Sequence, residues 1–186
     1  MSARLALLTT AAATATAICA GCTMMAPAPM RTFDQGALPD PVKVPAGHRV
    51  AMETVGVGEI TYECRAKASQ PGAFEWVFVG PRAVLNDRGG KAVGSYFGPP
   101  ATWASSDGSA ITGAQLAVAP ALPGSIPLQL VKANPATGAG AMKDVAYIQR
   151  VATQGGVAPA RACGADAVGQ REIVRYQADY IFWKAA

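Results

Sequence analysis

The chain has 186 residues, 51% of them hydrophobic, and a formal net charge of +4, which suits one domain with a core of its own. Its basic residues are scattered (Arg49, Arg65, Lys67, Arg82, Arg88, Arg150, Arg171) and form no run, so a nucleic-acid footprint is excluded. There is one histidine, His48, and no CxxC pair follows Cys22, which leaves no zinc or dithiol redox motif.

Met1 to Gly21 carries one charge, Arg4, then an apolar, small-residue run that ends Ala20-Gly21-Cys22. This is the layout of a bacterial export signal over residues 1–21, with Cys22 as the lipidation site. Ordinary cleavage near Ala26 or Ala28 is the alternative. The run is too diluted by Thr and Ala for a spanning helix. Pro27, Pro29, Pro39, Pro41 and Pro45 predict an extended tether over residues 22–45, ahead of a β domain over 46–186.

From there the pattern has period two. Ile60, Tyr62 and Cys64 share one face of a strand, with Glu59, Thr61, Glu63 and Arg65 on the other. A strand from Arg49 to Val55 precedes it, and Gly56-Val57-Gly58 predicts a hairpin or bulged bend between the two. Phe74 to Val79 and Ala83 to Asn86 flank Pro81 as two further strands. Asp87-Arg88-Gly89-Gly90 is a turn leading into Lys91 to Phe97, and Gly98-Pro99-Pro100 breaks that strand. Asp107-Gly108-Ser109 is a turn between Thr102-Trp103 and a strand from Ala110 to Val118. Strands follow at Ile126 to Lys132 and Val145 to Ala152, with short helical turns around Gly140 to Asp144. The last strand, Ile173 to Lys184, points Val174, Tyr176, Ala178, Tyr180 and Phe182 inward and Arg175, Gln177 and Asp179 outward. About nine short strands with turn chemistry between them predict an all-β antiparallel sandwich or barrel. Cys64 and Cys163, an even pair in an exported domain, predict one disulfide, the alternative being two separate buried thiols.

The ordered fragments Pro45-Ala46-Gly47-His48-Arg49, Tyr62-Glu63-Cys64, Trp76-Val77-Phe78, Gly98-Pro99 with Trp103, Asp107-Gly108-Ser109, Tyr147-Ile148-Gln149-Arg150-Val151 and Gly155-Gly156-Val157-Ala158-Pro159 before Cys163 form a series closed by Tyr176 and Asp179-Tyr180. The series resembles the domain of unknown function family 3455 of bacteria and fungi, over about residues 42 to 184. The resemblance implies one secreted or envelope domain and no known activity. Many members carry a His before the Gly-Pro; here that segment is Ser95-Tyr96-Phe97. Some fungal relatives bear a malate dehydrogenase label, but Gly56-Val57-Gly58 lacks the third glycine of a dinucleotide fingerprint.

The residues themselves assign no catalytic group, no metal and no cofactor. A Ser-His-Asp triad would need His48, and no Gly-x-Ser-x-Gly elbow exists. The scattered acids (Glu53, Glu59, Glu63, Glu75, Asp87, Asp107, Asp179) carry no motif that marks a glycosidase pair. The most suggestive cluster is Trp103 with Asp107 and Ser109, an aromatic platform beside a polar turn where a ligand could sit. The expected function is therefore a non-catalytic envelope β domain, anchored to the membrane only by lipid at Cys22, that binds a small ligand, glycan or envelope protein. The alternatives are a small envelope hydrolase using paired carboxylates and a structural surface protein without a specific ligand.

Overall fold

The computed structural model describes residues 33–186, so the expected export signal and Cys22 lie outside the described residues. Eight strands follow one another around a closed barrel, each antiparallel to the next. They are β1 (His48–Ala66), β2 (Phe74–Asn86), β3 (Ala92–Phe97), β4 (Thr102–Ser105), β5 (Ala110–Ala119), β6 (Leu128–Ala133), β7 (Val145–Gly155) and β8 (Arg171–Ala185). β8 closes on β1 through a register running from His48 with Ala185 to Glu63 with Arg171. Closure removes both sheet edges and decides between barrel and sandwich.

Two expected breaks are absent. The segments on either side of Gly56-Val57-Gly58 are one strand, and so are those on either side of Pro81. Gly56 marks a close approach instead of a turn. A Cβ there would stand 2.5 Å from the Tyr180 ring, so only glycine lets that ring lie against the β1 backbone. A bulge at Thr61/Tyr62 absorbs the irregularity opposite Gly80 and Pro81. The segment over 140–144 is a turn, not a helix.

The strand-alternation rule holds in β8: Tyr176, Ala178, Tyr180 and Phe182 are buried inside the barrel, and Val174 packs against that cluster. Ile60, Tyr62, Leu85, Tyr96, Trp103, Ile111 and Ile148 fill the same interior. Cys64 and Cys163 are joined, with Cα atoms 5.6 Å apart, and this ties the β7–β8 connection to the end of β1.

A second apolar layer lies outside the barrel. Val42 and Val44, with Phe33 and Leu38, cover Ala119, Leu130, Val151, Ile181 and Trp183 on the outer faces of β5 to β8. The expected tether therefore stops short of Pro45. Residues 33–45 form a strap on the barrel wall, because Trp183 and Ile181 make β8 apolar on both faces and need a cover.

The interior tyrosines give the barrel a pH limit. Burial pushes the hydroxyls of Tyr62, Tyr96 and Tyr180 above their ordinary value near 10, and that of Tyr176 up to about 12. The folded state thus holds these protons more tightly than the unfolded chain. Their contribution is complete below pH 10 and is lost as pH rises from about 10 toward 12. We expect cooperative alkaline unfolding in that window, with tyrosinate absorbance appearing together with loss of the β-sheet circular dichroism. Tyrosinate forming in four residues while the sheet signal persists would contradict this.

Candidate functional site

The lower end of the barrel carries the β2–β3 and β4–β5 turns and the β6–β7 loop; the upper end carries the other four connections. Trp103 lies at neither surface. It is 1% exposed, stacks on Tyr96 at 4.8 Å between ring centroids and meets Tyr180 edge-on at 5.9 Å. Its parity with Tyr96 and Ile111 in the ladder sends it inward, so it is a core residue and not the platform of a surface site. Its indole N–H has no hydrogen-bond partner among the described residues.

Asp107 and Ser109 form a latch. Asp107 Oδ1 accepts from the Ser109 N–H (2.9 Å) and hydroxyl (2.6 Å), and Oδ2 accepts from the Ala141 N–H (2.7 Å). The Ser109 hydroxyl also accepts from the Met142 N–H at 3.2 Å. The Ser109 hydroxyl, then these N–H donors, hold the Asp107 carboxyl well below the usual carboxylate range. The latch fixes the β6–β7 loop, whose Met142 plugs the lower end of the interior. Gly140 is required at the contact, where a Cβ would lie 2.5 Å from the Asp107 carboxylate. Beyond the latch the loop borders a depression of about 440 Å³ lined by Pro135, Ala136, Ala139, Lys143 and Asp144. Trp103 takes no part in it.

The other candidates are accounted for by local bonding. His48 places Nδ1 3.0 Å from the Pro45 carbonyl and its ring edge-on to Tyr147. Glu53 and Asp179 do meet across β1 and β8, but Arg88 from the β2–β3 turn binds both. Its Nε and Nη2 donate to Glu53 Oε2 at 2.9 and 2.8 Å, and Nη1 donates to Asp179 Oδ2 at 2.6 Å. Glu53 Oε1 accepts from the Phe33 N–H. This pair anchors a turn and the strap, and both carboxylates are already occupied. Among the described residues no three His, Cys, Asp or Glu side chains gather in a metal-binding group.

The upper interior is different. Arg150 is the cross-strand partner of Tyr180, which points inward, so Arg150 points inward as well. The same register row continues through Gln129 of β6 to Val118 of β5, and Gln129 donates to Gln115 at 2.7 Å. Exposure rises along this row, from Tyr180 at 1% to Val118 at 45%. Partly buried Arg150 donates Nε and Nη2 to the Pro127 carbonyl, at 3.2 and 2.9 Å, and meets no carboxylate among the described residues. Its positive charge opposes the effect of burial on the hydroxyls of Tyr62, Tyr96, Tyr176 and Tyr180. The Tyr176 and Tyr180 hydroxyls are 3.2 Å apart. A partly buried guanidinium that meets no carboxylate can accept an anion. In the sequence Arg150 is one of the scattered basic residues that form no run. The signal was there: Arg150 shares parity with Ile148, the inward residue of β7.

A family model described as "Protein of unknown function (DUF3455)" matches residues 45–184. No curated protein and no solved structure matches the chain. The family match runs from just before β1 to the end of β8 and takes in every strand, both bridged cysteines and Arg150, and the chain belongs to this DUF3455 family.

Proposed function

We propose that the protein is a non-catalytic cell-envelope domain, lipid-anchored through Cys22, that binds a small anionic ligand in the upper mouth of its barrel. Arg150 is the single observation that carries this reading: it faces inward as the cross-strand partner of Tyr180 and meets no carboxylate among the described residues. The Pro127 carbonyl satisfies two of its donors but not its charge, and a ligand carboxylate or acidic sugar would supply the counter-charge. Mouths of β-barrels are common sites for small ligands. The hydrolase alternative draws less support, since Glu53 and Asp179 are both held by Arg88.

The test is calorimetric titration with small uronates and other carboxylates, each matched with its neutral amide. Binding by the acids and not the amides is expected, with affinity falling by about tenfold or more in Arg150→Ala and partly retained in Arg150→Lys. Equal binding of acids and amides, or an unchanged Arg150→Ala, would refute the site. The anchor has its own test, the intact mass of the exported protein. A diacylglyceryl increment on a chain beginning at Cys22 supports it, and a start near Pro29 excludes it.

A further inference from the structure

The strap covers the outer faces of β5 to β8, but the outer face formed by the upper part of β8 with β1, β2 and β3 has no cover among the described residues. Its centre is apolar: Val57 and Val84 are cross-strand partners, 47% and 48% exposed. The next outward row across these four strands reads Arg175, Glu59, Arg82, Phe97, each the register partner of its neighbour. Glu59 thus stands between two arginines, yet none of the three forms an ion pair among the described residues. Phe97 is 45% exposed at the end of the row.

We propose that this face binds a second copy of the chain. A two-fold axis parallel to the strands, between β1 and β2, exchanges β1 with β2 and β8 with β3. Register partners stand at equal heights on either side of that axis. Val57 then meets Val84 of the partner subunit, and Glu59 meets Arg82 of the partner subunit. Arg175 in turn faces Phe97 of the partner subunit as a cation over an aromatic ring. Each contact occurs twice, as an isologous interface requires. The row is thus complementary to itself in charge, whereas a uniformly acidic or basic partner would meet a like charge somewhere along it. The same axis keeps the two barrels parallel. Both straps then start at one end, since Phe33 bonds Glu53 near the foot of β1.

Sedimentation equilibrium on the exported protein, across a wide concentration range, tests this. A dimer that weakens with salt is expected. Glu59→Arg alone and Arg82→Glu alone should each weaken it by on the order of a hundredfold, because two like-charge contacts replace two attractive ones. The double variant Glu59→Arg with Arg82→Glu should restore the dimer; since the two residues are also cross-strand partners within one chain, each single variant counts only where it remains folded. Thermal melts of all three check the fold. A chain that stays monomeric leaves the face to an unlike partner and overturns the proposal. So does a dimer indifferent to both single reversals, or one that the double variant fails to restore.

Discussion

Replacing Cys64 and Cys163 with Ala is expected to lower the stability of the domain by about 2–5 kcal/mol, measured by urea unfolding with and without reductant. The two cysteines are 99 residues apart, so the bridge restricts most of the unfolded chain, and the chain-entropy model gives roughly 4–5 kcal/mol for such a loop. The native side of the balance is local. The bridge ties the β7–β8 connection to the end of β1, and two backbone bonds run beside it: Gly169 N–H to the Cys64 carbonyl and Cys64 N–H to the Gln170 carbonyl, both at 2.9 Å. Those bonds, with the Arg161–Glu172 ion pair, keep the connection in place once the barrel has formed. The variant should therefore fold to the same barrel at lower denaturant midpoint, with early proteolysis confined to residues 156–170. A loss below about 1 kcal/mol would mean that the unfolded chain is already compact enough for the crosslink to matter little.

Gln149→Leu is expected to cost about 2–5 kcal/mol and to free the strap. Gln149 is fully buried. Its Nε2 donates to the Val42 carbonyl (2.6 Å) and to Gln35 Oε1 (3.0 Å), while its Oε1 accepts from the Trp183 indole N–H at 2.8 Å. Gln35 completes the seam, donating to the Val44 carbonyl and accepting from the Val44 N–H. Leucine has nearly the same volume but leaves the Val42 carbonyl and the Trp183 N–H without partners. Each such buried group costs roughly 1–3 kcal/mol. Trp183 fluorescence should shift to the red and proteases should cut within residues 33–46, ahead of global unfolding. A leucine variant with unchanged fluorescence and a midpoint shift worth under about 1 kcal/mol would show that the strap is held by its apolar contacts alone.

The candidate site was only partly visible from sequence. The turn at Asp107-Gly108-Ser109 could be read from its residues. That its acid would be spent on Ala141, 34 residues away, could not. Trp103 looked like a loop aromatic because the strand that carries it has only four residues, too few to show alternation. Its burial became visible only through its neighbours Tyr96 and Ile111. Arg88 was read as turn chemistry, and nothing local indicates that a turn will fold back onto two acids from β1 and β8.

Alternation of apolar and polar side chains is a local property with period two, so the sequence by itself determined the all-β class, the position of most strands and the inward face of β8. The even cysteine pair after Cys22 pointed to the disulfide that Cys64 and Cys163 form. Closure of the sheet is not local. It depends on β8 finding β1 across more than a hundred residues, and on Gly56 yielding its space to Tyr180. Tertiary structure alone decided that residues 33–45 lie on the wall and that Asp107 is a latch. It also decided that Arg150 points inward opposite Tyr180, because which residues share a row is settled by register between strands, and register is a property of the pair.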